Sequence, residues 1–285
     1  MMQTPKRRAS QLIVCGWDEV SIWDDIGPGD DIYVRALWSW RARDCSGLPE
    51  EFRGLFNTTD ECKPFGRTNR LLITSSGGAV ALVDRDLDTV LFYGRAGNAH
   101  SADLLPNNRL AVAASHVPDG TGDRLIVFDV SQPERELYST DLCWGHGVVW
   151  DDDRQQLWAL ATGEIHVYVL EQWESPTPEL RQVDTIPLPE TGGHDLSTVP
   201  GGPFLSVTTR HHCWVVHRDT GAITPHPQLG DAAYVKSVSH HPDTQRVVYI
   251  QATKDCWWSE CVRFCNPSGV AQIPGEHFYK ARWNV

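Results

Sequence analysis

Five short segments of this chain open on a basic side chain followed by an apolar run, at near-constant intervals. The segments are His100-Ser-Ala-Asp-Leu-Leu-Pro, His146-Gly-Val-Val-Trp-Asp, His194-Asp-Leu-Ser-Thr-Val-Pro, Lys236-Ser-Val-Ser-His-His-Pro and Lys280-Ala-Arg-Trp. Their first positions differ by 46, 48, 42 and 44 residues. A period in this range is typical of β-propellers, in which each repeat is a four-stranded blade. The spacing therefore predicts an all-β fold in which the five basic side chains converge near one axis.

The strand pattern between these openings predicts six blades. Each opening is followed by turn residues, such as Pro106-Asn-Asn, and then by further short apolar strands, with no long helical period. An earlier blade takes its inner strand from residues 61–65. The closing blade combines Lys280-Ala-Arg-Trp-Asn-Val with N-terminal strands that begin at Leu12, Glu19 and Tyr33. Five or seven blades would follow from another assignment of the irregular residues 41–65, and a β-sandwich is the alternative fold.

The composition predicts a small-molecule partner rather than a polyanion. The formal net charge is −12, which disfavours nucleic acid and anionic membranes. Residues 1–10 are read as a disordered basic tail without a secretory h-region, and 11–285 as one domain, so a cytoplasmic location is expected. The eight cysteines are scattered, as in buried thiols of a reducing compartment, and the spacing of Cys256, Cys261 and Cys265 is not a standard zinc pattern. The oligomeric state stays open.

The candidate site lies at the face where the inner strands begin, because the loops between second and third strands open there too. The predicted catalytic ring, with Glu61 or Lys63 as a possible sixth member, consists of His100, His146, His194, Lys236 and Lys280. The predicted substrate-binding residues on the surrounding loops are Trp17, Ser76, His116, Arg210, His211, Trp257 and Trp258. Trp144 and Trp150 are expected in the core between blades instead.

Three interpretations of this ring compete. One divalent metal ion could bind His100, His146 and His194, although nearby lysines oppose a cation. Alternatively, His and Lys donate hydrogen bonds to an anion, an enolate or a polarised carbonyl, and crowded cations lower one another's pKa towards neutral. The third interpretation is structural, with these side chains satisfying buried backbone groups. We predict no metal and no cofactor, since no nucleotide-binding or serine-nucleophile motif occurs.

The segments that open on the basic residues, with Gly97-Asn-Ala before His100 and Tyr279 before Lys280, resemble an uncharacterised family of six-bladed β-propellers from bacteria and fungi. Propeller lyases that act on uronate sugars look similar in using His, Lys or Arg at this face, sometimes with a metal. A weaker resemblance, carried by compactness and the twelve Trp rather than by matched residues, is to fungal hetero-Diels–Alderases of tropolonic sesquiterpenoid biosynthesis. These resemblances imply an enzyme of secondary metabolism, a cofactor-free cyclase that catalyses a (hetero-)Diels–Alder type cycloaddition. A uronate lyase is the alternative, and a non-catalytic ligand-binding propeller is the third.

Overall fold

Short apolar runs separated by turn residues give this chain strands and almost no helix. The computed structural model describes residues 11–24, 36–65 and 68–284. In those residues the strands form six four-stranded antiparallel sheets. The sheets surround one axis, so the predicted six-bladed β-propeller is confirmed.

The strands are numbered in chain order. Their bounds are β1 Gln11–Gly16, β2 Glu19–Asp24, β3 Ala36–Trp40, β4 Thr59–Pro64, β5 Arg70–Ser75, β6 Ala79–Asp84, β7 Thr89–Arg95, β8 Ala99–Leu105, β9 Arg109–Ala114, β10 Arg124–Asp129, β11 Glu136–Asp141, β12 Gly147–Asp151, β13 Gln156–Leu160, β14 Glu164–Glu171, β15 Glu179–Pro187, β16 Asp195–Val199, β17 Phe204–Thr208, β18 Cys213–His217, β19 Ile223–Pro225, β20 Val235–His240, β21 Val247–Gln251, β22 Cys261–Cys265, β23 Gly269–Gln272 and β24 Lys280–Asn284. Blades 1 to 5 are β4–β7, β8–β11, β12–β15, β16–β19 and β20–β23, and blade 6 is β24 followed by β1–β3. The first strand named in each blade is the innermost.

The ring is closed by strands from both ends of the chain, as the sequence predicts. β24 pairs antiparallel with β1, with Lys280 opposite Cys15, and it also contacts β4 and β20 of the two adjacent blades. This closure removes the free sheet edges that an open array would expose. The predicted strand that begins at Tyr33 is observed from Ala36 onwards. Its first three residues and the predicted tail of residues 1–10 lie outside the described part of the chain.

Apolar side chains fill the spaces between neighbouring blades. The cluster between blades 1 and 2, for example, joins Leu72 and Phe92 to Ala102 and Val112, all fully buried. Equivalent clusters lie at the other interfaces. The irregular stretch before β4 contains a one-turn helix, α1 (Glu50–Arg53), between two 3-10 turns, Ala42–Asp44 and Gly54–Phe56.

The hairpin between β8 and β9 shows how its turn residues determine the backbone conformation. Asn107 and Asn108 both adopt positive φ, at 61° and 57°, in the hairpin between β8 and β9, as its Pro-Asn-Asn sequence predicts.

All eight cysteines are free thiols, and Cys15, Cys62 and Cys213 are buried. No helix in the described residues combines the length and the apolarity that a bilayer crossing needs.

A buried ionic tetrad of Glu61, Asp195, Lys280 and Arg282 fills the channel. Arg282 forms two bonds with each carboxylate: Nε to Glu61 Oε1 at 2.9 Å, Nη2 to Glu61 Oε2 at 3.0 Å, Nη1 to Asp195 Oδ2 at 2.8 Å and Nη2 to Asp195 Oδ1 at 2.6 Å. Lys280 Nζ lies 3.4 Å from Glu61 Oε2 and 3.1 Å from Asp195 Oδ1. Because Glu61 and Asp195 belong to blades 1 and 4 while both cations belong to β24, the tetrad fastens the C-terminal strand across the ring.

Removing one member of this tetrad is expected to destabilise the fold. In an Arg282→Met variant the two carboxylates face only one ammonium, and breaking such a buried network costs about 3–5 kcal/mol. The free energy of unfolding from urea titration near pH 7 measures this loss. Arg181→Met is the matched control, because Arg181 pairs with Glu171 on the surface and such pairs contribute about 1 kcal/mol or less. Equal stability of the two variants would contradict the role given to the tetrad.

Stability is also expected to fall in acid because of the same carboxylates. Burial raises the pKa of Glu61 and of Asp195, but the charges of Arg282 and Lys280 outweigh it and hold both pKa values below their ordinary values of 4.5 and 3.8. Groups with lowered native pKa stabilise the fold above the unfolded-state pKa and lose that contribution as pH falls. Urea midpoints should therefore decline below about pH 5. The decline should be shallower in Arg282→Met, and equal slopes would exclude the tetrad as its cause.

Candidate functional site

Six side chains, one from each blade, surround the axis at the face where the inner strands begin. This top ring consists of Asp60, His100, His146, His194, Lys236 and Tyr279. β-Bulges in β4, β8 and β20 leave Asp60, His100 and Lys236 without a strand partner. A bulge inserts one extra residue, so the bulged residue and its successor can both face the channel.

Three histidines and a lysine of the ring lie next to one another around the axis, on four successive blades. The ring centroids of His100 and His146 are 4.2 Å apart, and those of His146 and His194 are 5.3 Å apart. Lys236 Nζ lies 3.1 Å from His194 Nε2. The structure thus brings together four of the five side chains that the sequence predicts to converge.

The placement of the other ring members differs from the prediction. Lys280 lies one residue deeper, with its Nζ 3.2 Å from the carbonyl oxygen of His100, because it is the first paired residue of β24, as Gly147 and Asp195 are of β12 and β16, and Tyr279 takes the ring position before it. The sixth position belongs to Asp60, not to Glu61 or Lys63. Asp60 Oδ1 lies 3.7 Å from His100 Nε2, whereas Glu61 is in the tetrad.

Lys63 lies towards the opposite end of the channel. Its Nζ donates to the carbonyl oxygen of Val148 at 2.7 Å and lies 3.4 Å from Asp103 Oδ2. Together with the tetrad above it, this contact blocks the channel. The top ring is therefore closed on its inner side by the side chains of the tetrad and of Lys63.

The hydrogen bonds of the histidines determine what they offer a ligand. His100 Nδ1 is 3.0 Å from the carbonyl oxygen of Asn98, and His146 Nδ1 is 2.8 Å from that of Trp144. A carbonyl only accepts, so both Nδ1 atoms carry the proton and both Nε2 atoms keep a lone pair. Burial lowers the pKa of His100 to about 4 and that of His146 well below its ordinary value. Near pH 7 these rings are neutral acceptors, contrary to the expectation that they donate.

Lys236 donates a hydrogen bond within the ring, and its ammonium loses a proton more easily than that of an ordinary lysine. Burial, and secondly the charge of Arg210, lowers the pKa of Lys236 to about 8. The ammonium donates to His194 Nε2, which leaves the proton of His194 on Nδ1, a buried atom without a hydrogen-bond partner in the described residues. Burial and the charge of Lys236 also hold the pKa of His194 well below its ordinary value.

Asp60 is the second group that titrates near neutral pH. Burial raises its pKa to about 7, although hydrogen bonds from Ser76 oppose the shift. The backbone N–H of Ser76 donates to Asp60, and Ser76 Oγ lies 2.6 Å from Thr58 Oγ1. The predicted binding residue Ser76 therefore positions Asp60 within the ring.

Aromatic side chains form one part of the rim. Trp17 and Trp257 are 42% and 41% exposed with ring centroids 5.9 Å apart, and Trp257 contacts Tyr279 at 5.7 Å. Trp258 packs edge-on against His277 at 4.0 Å. Of the two adjacent tryptophans, Trp257 therefore lines the mouth and Trp258 packs.

The other predicted rim residues lie on blades 2 to 5. His116 stacks on Trp144 at 5.0 Å, and Trp144 is 48% exposed, so its assignment to the core is wrong. His211 Nδ1 lies 3.2 Å from Glu190 Oε2. Arg210 is exposed, and its guanidinium has no ion pair or hydrogen bond within the described residues.

The predicted alternative of a metal at the three histidines is not favoured by the contacts. Lys236 donates to His194 Nε2, the atom that would have to bind the ion. Within the described ranges, no three or more His, Cys, Asp or Glu side chains are grouped so that they could hold a metal.

Asp60 and Tyr279 escaped the sequence analysis because neither is basic. From Asp60 to Tyr279, the ring positions are separated by 40, 46, 48, 42 and 43 residues. The period alone could have suggested both positions. The choice between Tyr279 and Lys280 depends on the residue at which β24 begins to pair with β1, and residue type does not reveal that position.

The lowered pKa of Lys236 can be measured directly. Titration followed by NMR of ¹³C-labelled lysine should show one lysine with a pKa of about 8. In Arg210→Met that pKa should rise, because one of the charges that lowers it is removed. Lys254→Met, which removes a cation from an exposed loop on the same face, should leave it unchanged. An ordinary lysine pKa in the unmodified protein would remove Lys236 from proton transfer.

Comparison with known proteins places the chain in a family without assigning its chemistry. No curated protein matches the sequence. The model of a family described as "Family of unknown function (DUF6528)" matches residues 29–285, which covers blades 1 to 5 and two of the four strands of blade 6, β3 and β24. The chain therefore belongs to this family of unknown function, and its fold is a six-bladed β-propeller.

Proposed function

We propose that this propeller is a lyase that cleaves uronate-containing saccharides by β-elimination at the top ring. The observation that carries the proposal is Lys236, a nearly buried amine with a pKa of about 8. A general base is most effective when its pKa lies near the working pH. Asp60, with a pKa of about 7, supplies an acid in the same ring.

The reaction needs one base and one acid. The neutral amine of Lys236 removes the proton on the carbon next to the carboxylate. The electron pair of that C–H bond forms a double bond to the adjacent carbon, and the glycosidic C–O bond on that carbon breaks. The departing oxygen takes a proton from the carboxylic acid form of Asp60. The products are an unsaturated uronate and a saccharide with a new hydroxyl, and no oxidant or cofactor is consumed.

The remaining polar groups suit a hydroxylated anion. The Nε2 lone pairs of His100 and His146 can accept hydrogen bonds from sugar hydroxyls. Arg210, whose charge acts on Lys236, can pair with the carboxylate. The ring atoms themselves are little exposed, so the reacting groups enter the ring while the rest of the saccharide lies on the rim.

Loss of Lys236 is expected to abolish elimination. With di- and trigalacturonate as probes, Lys236→Met should lower turnover by about 10²–10⁴-fold, the usual contribution of a general base. Ultraviolet absorbance of the double bond conjugated to the carboxylate measures turnover, and Lys254→Met is the control. The value of kcat/KM should pass through a maximum between pH 7 and pH 8, because Lys236 must have lost its proton while Asp60 still carries its own. Turnover that is unchanged in Lys236→Met, or absent with every uronate tested, would exclude the proposal.

A second candidate is a cofactor-free cyclase that catalyses a (hetero-)Diels–Alder type cycloaddition. The exposed wall of Trp17 and Trp257 favours it, because such a reaction needs an apolar surface that orients two partners. It also needs a donor to an electron-poor carbonyl, and among His100, His146 and Lys236 only the lysine is a donor. Because the ring offers this reaction a single donor, we rank elimination above cycloaddition. The pH profiles differ below about pH 7, where elimination slows because Lys236 is protonated, whereas a cycloaddition assisted by the ammonium of Lys236 keeps its rate.

A further inference from the structure

One backbone position above the top ring is left-handed in four consecutive blades. It lies two residues before the ring residue, and its occupants have positive φ: Asn98 at 52°, Trp144 at 52°, Gly192 at 86° and Tyr234 at 61°. Asn and Gly adopt this region readily, whereas a bulky side chain there is an outlier. Two blades therefore carry an aromatic residue where Asn or Gly makes the same turn with less strain.

Trp144 forms an ordered platform at the mouth. Its ring is 48% exposed and lies nearly parallel to that of His116, with an interplanar angle of 17°. Asp123 holds both residues, since Oδ2 is 2.6 Å from His116 Nδ1 and Oδ1 accepts the Trp144 N–H at 2.7 Å. The strained Trp is thus presented to solvent rather than packed in the core.

Tyr234 occupies the corresponding position two blades further on. Its ring is partly exposed and contacts His211 edge-on at 6.0 Å, and its N–H donates to the carbonyl oxygen of Arg210 at 2.8 Å. The blade between the two aromatics has Gly192, where a Cβ would lie 3.2 Å from the Cβ of Arg210. The small residue therefore leaves room for Arg210 on the blade between Trp144 and Tyr234.

We infer that Trp144 and Tyr234 are specificity-determining residues that stack on the pyranose rings of a uronate saccharide whose carboxylate pairs with Arg210. Strain retained at a site is explained when the side chain does something that an unstrained residue cannot. Aromatic faces offer a flat apolar surface to the C–H face of a sugar, and Arg offers a two-pronged donor to its carboxylate. This assignment rests on the proposed function and deepens it by naming the contacts that select a ring-bearing anion.

The experiment combines stability with binding. Trp144→Asn and Tyr234→Asn place a residue suited to the left-handed backbone, so the melting temperature should stay the same or rise by about 2 °C. Binding of digalacturonate is measured calorimetrically in the Lys236→Met background, which prevents turnover. Each Asn variant should weaken binding about tenfold, as the loss of one stacking contact implies, while Trp144→Phe keeps most of it. Gln155→Asn, at a φ of 53° in the hairpin on the opposite face, is the matched control and should leave binding unchanged.

The outcomes separate this inference from the reaction proposed for Lys236. Unchanged affinity in both Asn variants overturns the stacking role, even if elimination requires Lys236. Weakened affinity in a protein that eliminates no uronate supports the stacking role and removes the lyase. A fall of several degrees in melting temperature with intact affinity assigns the aromatics to the fold and overturns the inference. Absence of digalacturonate binding to the unmodified protein overturns both.

Discussion

The charge-paired contact of Arg282 with Glu61 and Asp195 is the interaction on which both the ring and its site depend. A propeller has no hydrogen-bonded ladder between inner strands, so neighbouring blades are joined by side chains and apolar packing. Here β24 supplies two cations to carboxylates on blades 1 and 4. Because all four members are buried, each is stable as an ion only while the others are in place. The contacts that hold β24 in the ring are therefore the same contacts that occupy the channel.

The tetrad also sets the conditions for the groups above it. The charges of the two carboxylates and the two cations sum to zero, so the tetrad beneath the top ring has no net charge. Burial is then the largest cause of the pKa shifts in the top ring. Burial moves the pKa of Asp60 up to about 7 and that of Lys236 down to about 8. An acid and a base with nearly matching pKa values then face the same mouth. A carboxylate of the tetrad without a cationic partner would raise the pKa of Lys236 and so keep that side chain protonated at neutral pH.

The sequence predicts the blades well because the blades repeat, and the site less well because its geometry depends on local irregularities. His100, His146, His194 and Lys236 were found because residue type and period coincide. Lys280 is one position deeper than predicted, since the residue just before β24, Tyr279, takes the ring position, as His146 and His194 do before β12 and β16. Trp144 was assigned to the core from its apolar character, and the positive φ that turns it outwards is a property of the backbone that the residue type argues against. Tautomers are likewise a tertiary property, because the carbonyls of Asn98 and Trp144 determine them.

Those same carbonyls connect the strained turns to the chemistry. The left-handed residue of each turn presents its carbonyl oxygen to the histidine two positions later, in blades 2 and 3 alike. The turn thus fixes the proton on Nδ1 and directs the Nε2 lone pair away from the backbone. At Trp144 a single residue provides both this carbonyl and an exposed aromatic face. In the proposed reaction, one turn therefore orients an acceptor for the substrate's hydroxyls and supplies the surface on which the sugar ring rests.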